Sequence, residues 1–167
     1  MRGLSVLLSA SGVVSGVLVW RALATAVPVD GSMTSMAVRM GLALGALGPS
    51  AAVLLAMTLT QAGARFLCGA IDPTLGRDTR FLLLNQRCIA NSVEQLLPFA
   101  VFLLAWAAGA EAAAMPSLLA LGAVFAIARL AFWAGYLFTP LLRAPGMAAS
   151  FAANIAAGAA AAAAWLR

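Results

Sequence analysis

The sequence predicts an all-α integral membrane protein that forms a single membrane domain over residues 1–167. Of these residues 64% are hydrophobic and only 9% are charged, whereas a soluble domain is about half apolar and about one quarter charged. The apolar residues also fall in five long runs separated by short polar loops. A helix needs ~20 apolar residues to cross ~30 Å of hydrocarbon. No polar stretch is long enough to form a soluble domain.

Each apolar run is expected to be one membrane-crossing helix. The first follows the start of the chain and ends before the loop VPVDGS, and the others are separated by the loops GAIDPTLGRDTR, GAEAAAMP and TPLLRAPG. The predicted helices cover about residues 3–27, 39–65, 81–108, 116–138 and 147–165.

The first run has two interpretations. It could be a cleaved signal peptide, because MRG is a weak positive start and ALATA offers a small-residue cleavage site. Against this, the apolar run is longer than a typical signal core and contains Trp20 and Arg21. We favour a retained, additional N-terminal helix.

The distribution of arginine predicts the orientation. With five crossings, one side of the membrane receives most of the loop arginines, whereas the loops around Asp30 and Glu111 on the other side contain none. Positive loops stay in the cytoplasm, so we expect a cytoplasmic N-terminus in a bacterial inner membrane. The net charge of +5 favours contact with anionic lipid headgroups. The arginines on the predicted cytoplasmic side are Arg2, Arg65, Arg77, Arg80 and Arg143.

Composition excludes several kinds of site. The chain has no histidine, and its two cysteines, Cys68 and Cys88, lie far apart without a CxxC pattern. A histidine-based triad and a Cys/His zinc site are therefore excluded, and we expect no metal. No basic patch has the form of a nucleic-acid surface, so we expect no nucleic-acid partner.

The third predicted helix carries an unusual polar set: Arg87, then Asn91 at i+4, Glu94 at i+7 and Gln95 at i+8. This spacing places all four on one helix face. Glu94 would lie ~20 Å from the helix start, at 1.5 Å per residue, where a charge is expensive and needs a partner. Either these residues form a polar clasp between helices, or they bind a ligand. We favour the ligand, because four polar groups cluster where a clasp needs two.

The fourth predicted helix supplies a complementary set. Arg129, Phe132 and Tyr136 share a face, and Arg143 follows near the helix end. Because neighbouring helices run antiparallel, Arg129 is expected at the depth of Asn91. Two guanidinium groups and a carboxylate suit a ligand with carboxylates and an ammonium group. Tyr136 alone could equally be an interfacial anchor.

Two other helices are distinguished by small residues. Gly41 and Gly45 form a GxxxG pattern that allows close helix packing. The last helix is nearly all alanine, and we expect it to pack against its neighbours without a specific role.

The polar patterns resemble the MAPEG superfamily, the membrane-associated proteins of eicosanoid and glutathione metabolism, which includes microsomal glutathione transferases and leukotriene C4 synthase. The matching motifs are Arg-x3-Asn-x2-Glu from Arg87 and Ala-Arg-Leu-x-(Tyr/Phe)-x2-Gly-Tyr ending at Tyr136, with a later arginine. The resemblance covers about residues 65–146. It implies a four-helix bundle over residues 38–166, a homotrimer, and glutathione as co-substrate in clefts between subunits.

The resemblance also implies roles for individual residues. Glu94 suits the γ-glutamyl ammonium of glutathione, and Arg87 or Arg129 suits a carboxylate. Arg143 matches the position that stabilises the thiolate, for attack on a lipophilic electrophile or a hydroperoxide. The full implied glutathione site comprises Arg65, Arg87, Asn91, Glu94, Gln95, Arg129, Tyr136 and Arg143.

The chain departs from the family pattern at three positions, one of which is Pro98, which falls one residue later than in some members. Phe132 and Gln95 stand where some members carry an aromatic hydroxyl, and the first helix lies outside the common four. Two alternatives to a glutathione transferase or peroxidase therefore stay open. One is a MAPEG-like lipid- or thiol-binding protein without catalysis. The other is a small transporter subunit in which Glu94 carries protons or a cationic substrate.

Overall fold

The computed structural model describes residues 2–166, and its regular structure in that range is helical without strands. Each of the five long helices is long and apolar enough to cross a membrane, which confirms the predicted fold class. Short 3-10 turns occupy Gly31–Thr34, Pro73–Leu75 and Ala112–Ala114. The α-helices are α1 (Arg2–Ala26), α2 (Met36–Leu67), α3 (Arg80–Gly109), α4 (Met115–Phe138) and α5 (Ala144–Trp165).

Helices α2 to α5 form a four-helix bundle. In this bundle α2 and α5 each pack against both α3 and α4, and α3 also touches α4 across the centre. Antiparallel packing of α2 on α3 is visible in two hydrogen bonds near opposite ends. Gln61 Nε2 donates to the carbonyl of Leu82 at 3.2 Å, and Arg39 Nε donates to the carbonyl of Ala107 at 3.0 Å.

The first helix packs outside this bundle, on α4 and α5. Trp20 Nε1 donates to the carbonyl of Ser117 at the start of α4, at 2.8 Å. At mid-helix, Gly16 faces Ala149 of α5 and Val124 of α4. The extra helix is thus an integral packing element of this fold rather than a detached segment.

The centre of the bundle is an apolar core. The rings of Phe99 on α3 and Phe125 on α4 stack with their centroids 4.0 Å apart, and both side chains are fully buried. Alanines of α5 (Ala153, Ala157 and Ala161) close the core from one side. Their small volume lets α5 approach α3 closely.

The glycine pattern of α2 points away from this core. At Gly41, Gly45 and Gly48 a Cβ atom would have nothing within 4 Å. The GxxxG pattern therefore packs against no other helix of the same chain. It leaves a strip of small residues on the outside of α2.

The connection from α2 to α3 is tied down at several points. Asp72 Oδ1 accepts from the amide of Thr74 at 2.8 Å, and hydrogen bonds from the hydroxyl and amide of Thr74 lower the pKa of that carboxyl. Gly76 takes a left-handed conformation, with φ of 65°, which favours glycine. Thr79 caps α3 by accepting from the amide of Leu82. These contacts set where α3 begins, and so the register of its polar residues.

Candidate functional site

Among the residues whose burial is described, Arg129 is the most deeply buried charged group, with 2% of its surface exposed. Its Nη2 donates to Ser92 Oγ at 2.8 Å and to Asn91 Oδ1 at 3.1 Å. Its Nη1 donates to Ser150 Oγ at 3.2 Å. The guanidinium carbon also lies 4.2 Å from the centroid of the Phe132 ring. One side chain thus joins α3, α4 and α5, and it confirms that Arg129 and Asn91 meet at the same depth.

No carboxylate neutralises Arg129 within residues 2–166, where the one ion pair joins Arg65 and Asp78. Its Nε is buried without a hydrogen-bond partner in the same range. Neutral oxygens and an aromatic face therefore hold a buried cation. Such a group strengthens the positive potential inside the bundle, which favours an anion nearby.

Gln95 and Asn154 form a second contact between α3 and α5. Asn154 Nδ2 lies 3.1 Å from Gln95 Oε1 and 3.2 Å from the Gln95 carbonyl. Both side chains are buried. The expected packing of α5 against its neighbours is confirmed, and Ser150 and Asn154 add hydrogen bonds to polar residues of α3 and α4 that the sequence did not predict. In an alanine-rich helix these two were the only polar side chains that could have indicated this.

The four polar residues of α3 were expected to share one face, but in the structure they do not all point to the same side of the helix. Arg87 and Glu94 are exposed, Asn91 is half-buried, and Gln95 lies inside the bundle. Neither Arg87 nor Glu94 forms an ion pair within residues 2–166. Two opposite charges on the outer face of a membrane-length helix therefore have no ionic partner in the part of the chain that the structure describes. A partner must come from a second copy, a ligand or water.

Tyr136 and Arg143 form a separate pair at the α4–α5 connection. Tyr136 is 7% exposed and packs with Met57, Cys88 and Phe132. The exposed guanidinium of Arg143 lies 4.7 Å from the centroid of the Tyr136 ring. The long, exposed side chain of Arg143 therefore places a positive charge at the edge of a buried aromatic cluster, where an anion such as a thiolate could reach it.

A glycine allows the sharp turn that brings these two residues together. A Cβ at Gly135 would lie 2.2 Å from the carbonyl oxygen of Leu142, so the chain folds back directly on α4. Thr139 and Leu142 close the turn with a backbone hydrogen bond of 3.1 Å. A side chain at position 135 would therefore have to displace the backbone at Leu142, next to Arg143.

Arg65 lies at the same end of the bundle but is already occupied. Its Nη2 pairs with Asp78 Oδ2 at 2.9 Å, and both side chains are mostly buried. Arg65 therefore binds the α2–α3 connection in this structure. Its predicted contact with glutathione stays a prediction and would require the carboxylate of Asp78 to be displaced.

Sequence reasoning missed a buried polar network on α2, α3 and α4. Asn85 Nδ2 donates to Gln61 Oε1 at 2.9 Å and to the carbonyl of Met57 at 3.0 Å. Trp133 Nε1 donates to Asn85 Oδ1 at 2.7 Å. The network fixes the two helices that carry Arg87 and Tyr136. An asparagine two residues before Arg87 was the available signal.

A lateral groove opens between α3 and α5. Its volume is about 460 Å³, and its walls are almost entirely apolar. It begins beside Gln95, the neighbour of Glu94, and opens along the part of the helices that would face lipid. The lining residues are Gln95, Pro98, Phe102, Phe151, Asn154, Ile155, Gly158 and Ala159.

The described residues contain no group of three or more histidine, cysteine, aspartate or glutamate side chains able to hold a metal ion. The polar groups brought together here are guanidinium, amide, hydroxyl and phenol groups. They can bind anions and hydrogen-bond a peptide.

The sequence model of the MAPEG family matches residues 37–163 of this chain. The matched range contains α3, α4 and nearly all of α2 and α5, and leaves α1 outside. No curated protein and no solved structure matched this chain.

Proposed function

Since the chain belongs to the MAPEG family, we propose that it is a membrane-embedded, glutathione-dependent transferase or peroxidase. The observation that carries this proposal is the outer face of α3, where Arg87 and Glu94 are exposed and have no ionic partner within residues 2–166. A charged residue in a membrane-spanning segment is by default a candidate functional residue, because its burial in lipid is costly.

Glutathione has the charges that this face needs. Its γ-glutamyl group carries an ammonium and a carboxylate close together, and its glycyl end carries a second carboxylate. Glu94 suits the ammonium and Arg87 a carboxylate, the two protein groups being ~10 Å apart along the helix axis. Bidentate guanidinium–carboxylate pairs are among the stronger polar contacts. Asn91 is placed to hydrogen-bond the peptide groups of glutathione, and its Oδ1 also accepts a hydrogen bond from Arg129.

We propose that a second copy of the chain completes the site. Within residues 2–166 of one copy, Arg87 and Glu94 have no ionic partner. A neighbouring copy packed on α3 would enclose this face, as in the homotrimer that family membership suggests. The strip of Gly41, Gly45 and Gly48 on the outside of α2 supports this assembly, because small residues let helices of different subunits approach closely.

The chemistry follows from the charge of Arg143. A free thiol has a pKa of about 8.5 and is mostly protonated at neutral pH, and a nearby guanidinium raises its thiolate fraction. With an electrophile, the thiolate sulfur forms the new bond and the leaving group departs with the bonding electrons. With a hydroperoxide, the thiolate sulfur bonds to the terminal oxygen as the O–O bond breaks, which gives glutathione sulfenic acid and an alkoxide that takes up a proton to form the alcohol. A second glutathione then yields the disulfide and water.

The apolar groove between α3 and α5 is the proposed entry for the lipophilic substrate. Its lining would accept an acyl chain or aromatic ring from the bilayer, and its position beside Gln95 brings that substrate next to the α3 face. Holding both reactants together lowers the barrier by proximity. In this proposal the membrane surrounds the protein and also supplies the lipophilic acceptor substrate.

Calorimetric titration of glutathione into the detergent-solubilised protein tests this proposal. Saturable binding is expected for the parent and should weaken in Arg87→Ala and in Glu94→Gln. Leu97→Ala is the matched control, because Leu97 is also exposed on α3 and carries no charge. Equal binding by all four proteins would place glutathione elsewhere, and no binding by any would reject it as the ligand.

Two residues favour a second candidate, a non-catalytic glutathione-binding protein. Phe132 offers no hydroxyl, and the side chain of Gln95 is engaged by Asn154 in the bundle interior. Fewer groups would then face the sulfur than in a catalyst. A chain that binds glutathione, forms no thiolate and turns over no electrophile would be this binder.

A further inference from the structure

We propose that α1 is a positioning element for Arg143, and that Gly12 is the residue through which it acts. The family match begins at residue 37, so nothing in that match assigns a role to α1. The catalytic consequence rests on the proposed function, whereas the positioning itself does not.

The contact between α1 and α5 is backbone against backbone. Gly12 is buried, and a Cβ added there would lie 2.2 Å from the carbonyl oxygen of Pro145 and 2.5 Å from its Cα. Backbone atoms cannot rotate out of the way as a flexible side chain can. Any side chain at position 12 must therefore move α1 and the start of α5 apart.

The start of α5 is held from the other side as well. A Cβ at Gly146 would lie 2.3 Å from the amide nitrogen of Phe132, so α4 contacts the residue next to Pro145. The first turn of α5 is thus clamped between α1 and α4. It can shift only if one of these helices shifts with it.

This clamp lies next to the thiolate-stabilising pair. Arg143 is the N-cap residue of α5, two residues before Pro145, and its guanidinium lies over the Tyr136 ring. A displacement of Pro145 is therefore transmitted directly to the backbone of Arg143. A cation–π pair and a charge aimed at a sulfur both depend on separation, so a shift of ~1 Å matters for each.

The glycines of α1 form a graded series for testing this. Gly12 allows no added atom. At Gly16 the nearest atoms to an added Cβ are 3.6 Å away, which is ordinary contact, and at Gly3 there is nothing within 4 Å. Alanine changes the polarity of α1 equally at all three positions. Only Gly12→Ala is expected to disturb α5.

The chain contains a single tyrosine, Tyr136, which provides a local probe. Protein labelled with 3-fluorotyrosine should give one fluorine resonance, and Arg143→Gln establishes how far that resonance moves when the cation leaves the ring. The measurement needs no glutathione. We expect Gly12→Ala to shift the resonance in the same direction, and Gly16→Ala and Gly3→Ala to leave it in place.

The kinetic counterpart is a loss of kcat with little change in the KM of the lipophilic acceptor. A misplaced catalytic group can lower the rate by about tenfold to about a hundredfold, and this is the loss expected for Gly12→Ala. A helix that only anchors the protein in the membrane would change the yield or melting temperature and leave both the resonance and kcat alone.

The outcomes separate the two proposals. A folded Gly12→Ala protein with the parent's resonance overturns the positioning role, whatever glutathione does. A shifted resonance in a protein whose parent binds no glutathione retains the positioning role and rejects the proposed function. If Gly12→Ala does not fold, Trp20→Ala loosens α1 without adding an atom, by removing the bond to Ser117. A shifted resonance in that variant supports the proposal, and an unchanged one overturns it.

Discussion

The guanidinium of Arg143 lies over the ring of Tyr136, with 4.7 Å between the guanidinium carbon and the ring centroid. The ring is buried and the cation is exposed, so the aromatic face acts as a fixed platform for a long, otherwise free side chain. Holding the cation near one position reduces the conformational entropy that would be lost when an anion binds.

Tyr136 should therefore act mainly through its ring. Tyr136→Leu removes the platform and should lower the thiolate fraction of bound glutathione by about twofold to about thirtyfold, the range of a cation–π contact. Tyr136→Phe keeps the platform and should retain most of the thiolate. Absorbance of the thiolate measures both. If phenylalanine were as harmful as leucine, the hydroxyl would be the important group.

We expect Arg129 to contribute mainly to the stability of the fold rather than directly to ligand binding or catalysis. Its guanidinium donates to oxygens on α3 and α5 at once, and the compact ammonium of lysine cannot reproduce that fork. Arg129→Lys is expected to lower stability by about 1.5 to 3 kcal/mol, the range for a charged hydrogen bond, seen as a lower melting temperature in detergent. Arg21→Lys, at an exposed position on α1, is the control and should melt like the parent.

The contact between Asn154 and Gln95 separates a structural role from a ligand-binding one. Asn154→Ala leaves the buried Gln95 amide without its partner, which costs about 1 to 3 kcal/mol. Ile155→Ala, next along the chain and 72% exposed, should cost much less. If Gln95 serves only the bundle, glutathione affinity at a temperature where both variants are folded should equal that of the parent. Weaker affinity in Asn154→Ala alone would show that Gln95 belongs to the site.

Asp78 should compete with glutathione for Arg65. Asp78→Asn removes the charge that pairs with the guanidinium and leaves a residue of similar shape. If Arg65 reaches the ligand, this variant should bind glutathione more tightly, and Arg65→Gln should bind it more weakly. Titration calorimetry on both variants decides the matter. Unchanged glutathione affinity in both variants would show that Arg65 lies outside the site and only holds the α2–α3 connection in place.

Much of the fold follows from the sequence because the bilayer imposes simple rules. Five apolar runs of sufficient length and short loops leave little choice but five antiparallel helices. The meeting of Arg129 with Asn91 also followed, since rise per residue fixes depth in antiparallel neighbours. These inferences concern position along a helix axis.

Rotation about the axis is what the sequence could not settle. Gln95 was expected beside Arg87 and Glu94, yet it faces Asn154 in the interior, because eight residues turn a straight helix by somewhat more than two full turns. The direction of the GxxxG pattern and the roles of Ser150 and Asn154 were likewise hidden. Both depend on which helices pack against each other, and that packing is determined by the volumes of side chains on segments far apart in the sequence.

Ultraviolet absorbance of the thiolate, followed as glutathione is titrated into the purified protein at neutral pH, is the most direct measurement of the central claim. The account predicts a saturable rise in the parent, most of it lost in Arg143→Ala, while Leu97→Ala behaves like the parent. A parent protein that binds glutathione with no rise, or a rise undiminished in Arg143→Ala, would contradict the proposal that this chain activates glutathione through Arg143.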